Sequence, residues 1–139
     1  MFKSVMTMEI QPGLTRIGAV DADAIRRDAE RAGYTTLMLP EQGIVDKASF
    51  FEAVRKTLPL DPPLGIYNVW DALSDSLNEG LYSLPDQRIA ILWLGTRSME
   101  TSAPADFENA VNALARAANS LLDPRFTCGN PKEVGVFVE

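Results

Sequence analysis

The 139-residue chain has no histidine, a single cysteine and no long apolar run. Without histidine there is no His-based catalytic triad, no imidazole metal ligand and no imidazole pH switch. Cys128 alone excludes an internal disulfide, a CxxC pair and a cysteine-rich zinc site. No stretch approaches the roughly 18 apolar residues of a spanning helix, so no membrane association is expected. Residues 1–9 lack the apolar segment and small-residue cleavage site of an export signal. A lone thiol suits a reducing compartment, and a cytoplasmic protein is expected. Cations are also few: 13 Lys and Arg face 19 Asp and Glu, for a net charge of −6. Direct nucleic-acid binding, which depends on Lys and Arg against phosphates, is not expected. A basic partner is.

What is present is ordinary for a soluble domain: 46% hydrophobic and 23% charged residues, without repeats, low-complexity tracts or long linkers. A single domain over residues 1–139 follows, with 1–33 read as an N-terminal extension and 34–139 as the core. Two short apolar stretches within residues 4–19 flank Pro12-Gly13 and suggest short strands about a turn, or an irregular arm. A helix is predicted from Asp21 to about Ala32, stopped by Gly33. Thr35–Leu39 reads as a strand closed by Pro40. Phe50, Phe51, Val54 and Leu58 recur at helical spacing over 47–58. Pro59, Pro62, Pro63 and Gly65 then enforce a loop.

A helix over 69–81 follows. Arg88–Leu94 is the strongest strand, apolar nearly throughout, as expected of a strand covered on both faces. Residues 105–122 form a long helix with Phe107, Val111, Leu114 and Leu121 toward the core, and 134–138 a last strand. Strands separated by helices predict an α/β fold with a small three-stranded parallel sheet, plus the N-terminal arm and helix.

The charge is concentrated. No Lys or Arg occurs between Lys56 and Arg88, a window that holds Asp61, Asp71, Asp75, Glu79 and Asp86 and so −5 of the net −6. At about 100° per residue, Trp70, Leu73, Leu77 and Leu81 share one stripe of the 69–81 helix. Asp71, Asp75, Asn78 and Glu79 share the opposite side. Carboxylates one turn apart cost a helix about 0.2–0.5 kcal/mol per pair, and no cation stands at i±3 or i±4 to offset them. Local stability does not explain this face. It is a docking surface for a cationic partner or a solvated acidic face. Metal binding or acid–base chemistry at Asp71, Asp75 and Glu79 is a further alternative, weakened because such a stripe faces outward and does not converge. No cofactor signature accompanies it.

Elsewhere, Trp93, Phe50 and Phe51 read as core, with one of the two phenylalanines fully buried. Cys128 reads as passive and partly buried. Arg26, Arg27 and Arg31 lie among Asp23, Asp28 and Glu30 and read as a salt-bridged surface.

The run Pro62-Pro63-Leu64-Gly65-Ile66-Tyr67-Asn68-Val69-Trp70-Asp71-Ala72-Leu73-Ser74-Asp75-Ser76-Leu77 resembles the barstar family of intracellular inhibitors of barnase-type ribonucleases. The Asp-Ala-Leu-x-Asp-x-Leu core is matched in full at 71–77, and the order of elements over 34–139 agrees. The resemblance implies that the loop and acidic helix plug a nuclease active site. Asp75 corresponds to the family's central aspartate and Asp71 to a second interfacial aspartate one turn earlier. Pro63 and Leu64 stand where the family carries aromatic contact residues, and Tyr67 is the substitute here. Ser74 replaces the usual tryptophan, and Asn78 and Glu79 replace a Thr-Gly pair. Arg116 falls near an interfacial glutamate of the family.

The expected function is a non-enzymatic antitoxin- or immunity-like inhibitor of a basic ribonuclease or nuclease toxin. Its contacts would be Asp75, Asp71, Tyr67, Glu79, Asn78, Ser74 and Gly65. The alternatives are a module of the same fold for a basic partner that is not a nuclease, and a small metal-dependent enzyme using the acidic stripe.

Overall fold

The computed structural model describes residues 10–18 and 21–139. Residues 4–9 and 19 of the expected arm lie outside the described residues. In chain order the elements are β1 (Gly13–Arg16), α1 (Ala22–Arg31), β2 (Thr35–Met38), α2 (Lys47–Thr57), α3 (Trp70–Ser83), β3 (Arg88–Trp93), α4 (Arg97–Ser102), α5 (Pro104–Leu122) and β4 (Glu133–Val138). The helix starts follow local chemistry. The Asp21 carboxylate accepts from the Asp23 amide at the head of α1. Asp46 and Ser49 form a reciprocal capping box at the head of α2.

The sheet has four strands rather than the expected three, all parallel, in the order β1-β4-β3-β2. The added strand comes from the N-terminal arm. Four residues with one exposed apolar side chain, Leu14, are too few to show a strand period. Gly135 is what lets the arm approach: a Cβ there would sit 2.6 Å from the Gln11 carbonyl oxygen. β3 and β4 are buried at every position after the first.

Both faces of the sheet are covered. On one, Ile89, Ile91, Trp93, Val134, Val136 and Val138 meet apolar side chains of α2, α3 and α5. Trp93 lies 4.9 Å from Phe50 and 5.5 Å from Phe107, ring centroid to centroid. Both Phe50 and Phe51 are fully buried, one more than expected, because α2 turns both rings between the sheet and Trp70. On the other face, Ala90, Leu92, Leu94 and Phe137 are covered by Ile25 and Ala29 of α1 and by Tyr34. The N-terminal extension therefore supplies an edge strand and the layer over one sheet face. The short helix α4 between Gly95 and Pro104 is an addition to the predicted elements.

The α1 surface is salt-bridged at Arg26–Asp23 (2.8 Å) and Arg31–Asp28 (3.7 Å). Cys128, expected partly buried, is exposed. It occupies a turn at φ +52, where Thr127 points inward and bonds to the Asp123 carbonyl.

Candidate functional site

The Pro-rich loop and α3 form one unit on the α2/α5 side of the sheet. Leu73, Leu77 and Leu81 recur every four residues and are completely buried, each contributing about 1.5–3 kcal/mol through burial. Trp70 packs 4.9 Å from Phe51, with the Lys47 ammonium 5.5 Å from its ring centre. The loop is tied down at two points. The Asp61 amide donates to the Ser76 carbonyl at 3.0 Å. Gly80 lets the Pro59 backbone lie so close to α3 that a Cβ would be 2.2 Å from its carbonyl oxygen.

This packing fixes the opposite side of α3 outward. Asp71, Asp75 and Glu79 are all exposed, at i, i+4 and i+8. None of them forms an ion pair or side-chain hydrogen bond with the described residues. The six ion pairs found among those residues lie elsewhere. Arg116 lines the same cleft as Asp71, between α3 and α5, without closing to an ion pair. Among the described residues no group of three or more His, Cys, Asp or Glu is arranged to hold a metal ion. Nor is any helix there long and apolar enough to cross a membrane.

Ahead of α3, the loop exposes Ile66 (85%), Tyr67 (76%) and Val69 (51%). Gly65 is exposed, and its carbonyl accepts from Arg55 Nη2 at 2.8 Å; the same nitrogen donates to Asn68 Oδ1 at 2.9 Å. The predicted residues Asp71, Asp75, Glu79, Tyr67 and Gly65 are thus all solvent-facing along one loop and one helix face.

Two predicted contacts fall elsewhere. Ser74 is buried, because it lies one residue after Leu73 on the flank of α3 that meets α5. Asn78, expected on the outer side, is half-buried, and its Oδ1 is fully enclosed without a hydrogen-bond partner. Its position five residues after Leu73 turns it into the same α3/α5 seam. There it lines a groove of about 340 Å³ with Asp75, Glu79, Tyr82 and an exposed Phe126.

The C-terminal end of α3 has no basic residue of its own. Lys132, from the segment before β4, fills the role. It is buried at 4% exposure, and its ammonium donates to the Leu81 carbonyl at 2.9 Å and to that of Leu84. Burial pushes its pKa below the ordinary lysine value, while the nearby Asp86 carboxylate opposes that shift. A cation here complements the negative end of the helix dipole. Lys132 and Arg55 are the two supporting residues that sequence patterning does not reveal. Both act across a gap that no helical or strand period spans.

Comparison with curated proteins finds no match. The family model described as Barstar (barnase inhibitor) matches residues 34–132, from the start of β2 to the lysine that caps α3. A match over that much of the chain, taking in the loop, the acidic helix and strands β2 and β3, makes the chain a member of the barstar family.

Proposed function

We propose that this chain inhibits a basic ribonuclease by laying the loop 61–69 and the outer face of α3 into the nuclease's cationic active-site cleft. Asp75 is the central anchor, Asp71 the second, and Glu79 and Tyr67 are flanking contacts. The observation that carries this reading is the row Asp71, Asp75 and Glu79, held outward by a buried leucine stripe and left without an ion pair among the described residues. Such carboxylates stand in for the phosphates of RNA. They steer encounter through long-range attraction and then form charge-assisted hydrogen bonds with Arg and Lys. The inhibitor performs no chemistry of its own; occlusion suffices. In this reading it acts in the cytoplasm as an antitoxin or immunity protein.

The test is an inhibition assay against a barnase-type ribonuclease at two salt concentrations, with Asp75→Ala and Asp71→Ala variants. Inhibition should weaken as salt rises. Asp75→Ala should cost about 2–5 kcal/mol of affinity, the range for truncating buried hydrogen-bonded charges at interfaces, to which complexes of this family themselves contribute. Unchanged affinity of the Asp75→Ala inhibitor would remove Asp75 from the interface.

A further inference from the structure

The segment 65–69 exposes three apolar side chains, Ile66, Tyr67 and Val69. A short irregular stretch with this exposure has little packing of its own to hold it in shape. Among the described residues, the side-chain hydrogen bonds to this stretch converge on one nitrogen. Arg55 Nη2 has two N–H bonds, and its two acceptors are the Gly65 carbonyl (2.8 Å) and Asn68 Oδ1 (2.9 Å). These acceptors bracket Ile66 and Tyr67. Arg55 is itself well seated: its side chain is 24% exposed and projects from α2. Its guanidinium lies 5.7 Å from the ring centre of the fully buried Phe51, and Glu52 Oε1 is 3.9 Å from Nη1.

We infer that Arg55 is a positioning residue for partner binding: it latches the loop so that Ile66 and Tyr67 are already in one arrangement when the partner arrives. This inference rests on the docking role proposed above for the loop and α3. A loop ordered only on binding would have to give up its conformational freedom at that moment, at the expense of affinity. The latch moves that loss into folding. The latch does not require Arg55 to touch the partner: it is made by the two N–H bonds of Nη2, which are committed to Gly65 and Asn68. A lysine cannot replace it fully, because a compact ammonium on a flexible stem lacks the planar fork that is stacked on Phe51 while bonding two acceptors.

Backbone ¹⁵N relaxation of the full chain tests the latch without any partner. In Arg55→Met, order parameters at 65–68 should fall below about 0.6 while those of α3 stay near about 0.85, and Arg55→Lys should lie between. Asn68→Ala removes one acceptor, leaves α2 untouched and should loosen the same residues, which keeps the test intact if Arg55→Met fails to fold. With barnase as the probe, Arg55→Met should bind about tenfold more weakly. Adding Tyr67→Ala to Arg55→Met should cost less than Tyr67→Ala alone, whereas Asp75→Ala should cost the same in both backgrounds. Unchanged order parameters in the folded variants overturn the latch whatever the partner. A loosened loop with fully additive Arg55 and Tyr67 losses overturns its role in binding. If the unaltered chain fails to bind barnase, it is the inhibitor reading that suffers, and the relaxation data still decide for or against the latch.

Discussion

The ammonium of Lys132 donates to the carbonyl of Leu81 at 2.9 Å, joining the segment before β4 to the end of a helix 51 residues earlier. It also reaches the Leu84 carbonyl. Among the described residues the Leu81 carbonyl accepts from the Leu84 amide as well, at 3.3 Å, whereas the Leu84 carbonyl has the ammonium as its hydrogen-bond partner. Lys132→Met keeps the length of the side chain and removes its donors. It should destabilise the fold by about 1–3 kcal/mol, read by urea denaturation, because the Leu84 carbonyl loses its partner and the Leu81 carbonyl its shorter bond. A loss near zero would mean that water reaches those carbonyls.

Asp75→Asn should separate binding from stability. The substitution relieves repulsion with both Asp71 and Glu79, and Asn and Asp have similar helix propensities. Stability should rise by roughly 0.2–0.5 kcal/mol for each pair relieved. Affinity for a barnase-type ribonuclease should fall in the same variant. Thermal unfolding and inhibition measured on one preparation give both signs, and a variant that loses stability would show that the acidic row is not strained.

The extension should prove part of the folding unit. Ile25 is 2% exposed and sits with Ala29 over Leu92 and Phe137. Ile25→Ala should cost about 2–4 kcal/mol, the usual range for emptying such a site. Deleting residues 1–33 removes β1 and leaves only Tyr34 of the described cover over that face, and should yield a protein that binds a hydrophobic dye and unfolds without a sharp transition. A cooperative fold of wild-type stability after the deletion would show α1 to be an ornament.

Acid should loosen the head of α2. The Ser49 backbone amide, and secondly its hydroxyl, hold the Asp46 carboxyl below its ordinary value of 3.8. A carboxylate with a depressed folded pKa stabilises the fold above the unfolded value and loses that contribution as pH falls from 3.8 through the folded value. The stability advantage of the wild type over Asp46→Ala should therefore be constant near neutrality and shrink below about pH 3.8. An advantage independent of pH down to strong acid would place the effect in the backbone rather than in the carboxylate.

Much of this architecture is written in local patterning. Leu73, Leu77 and Leu81 repeat at one turn and a fraction, so the buried stripe of α3 and the exposure of Asp71, Asp75 and Glu79 follow from period alone. Ile89 to Trp93 announce a doubly covered strand by being apolar without alternation. The misreadings have equally local causes. β1 is four residues long and α4 six, too short for either period to register. Ser74 is expected among the contacts because it stands at the family's tryptophan position, but helix geometry puts it beside Leu73 on the α5 flank, where a small hydroxyl fits the seam. The parts that no local pattern shows are those made by distant partners: Gln11 against Gly135, Arg55 with Asn68, and Lys132 with Leu81.

The sheet divides the molecule into two sides that do not share a surface. α3 and its carboxylates lie over one face and α1 over the other. An antibody or a sensor chip that grips α1 through Arg26 or Arg31 should leave the opposite side as accessible as in free solution. Capture and target engagement can then be run on the same molecule at once, each blind to the other.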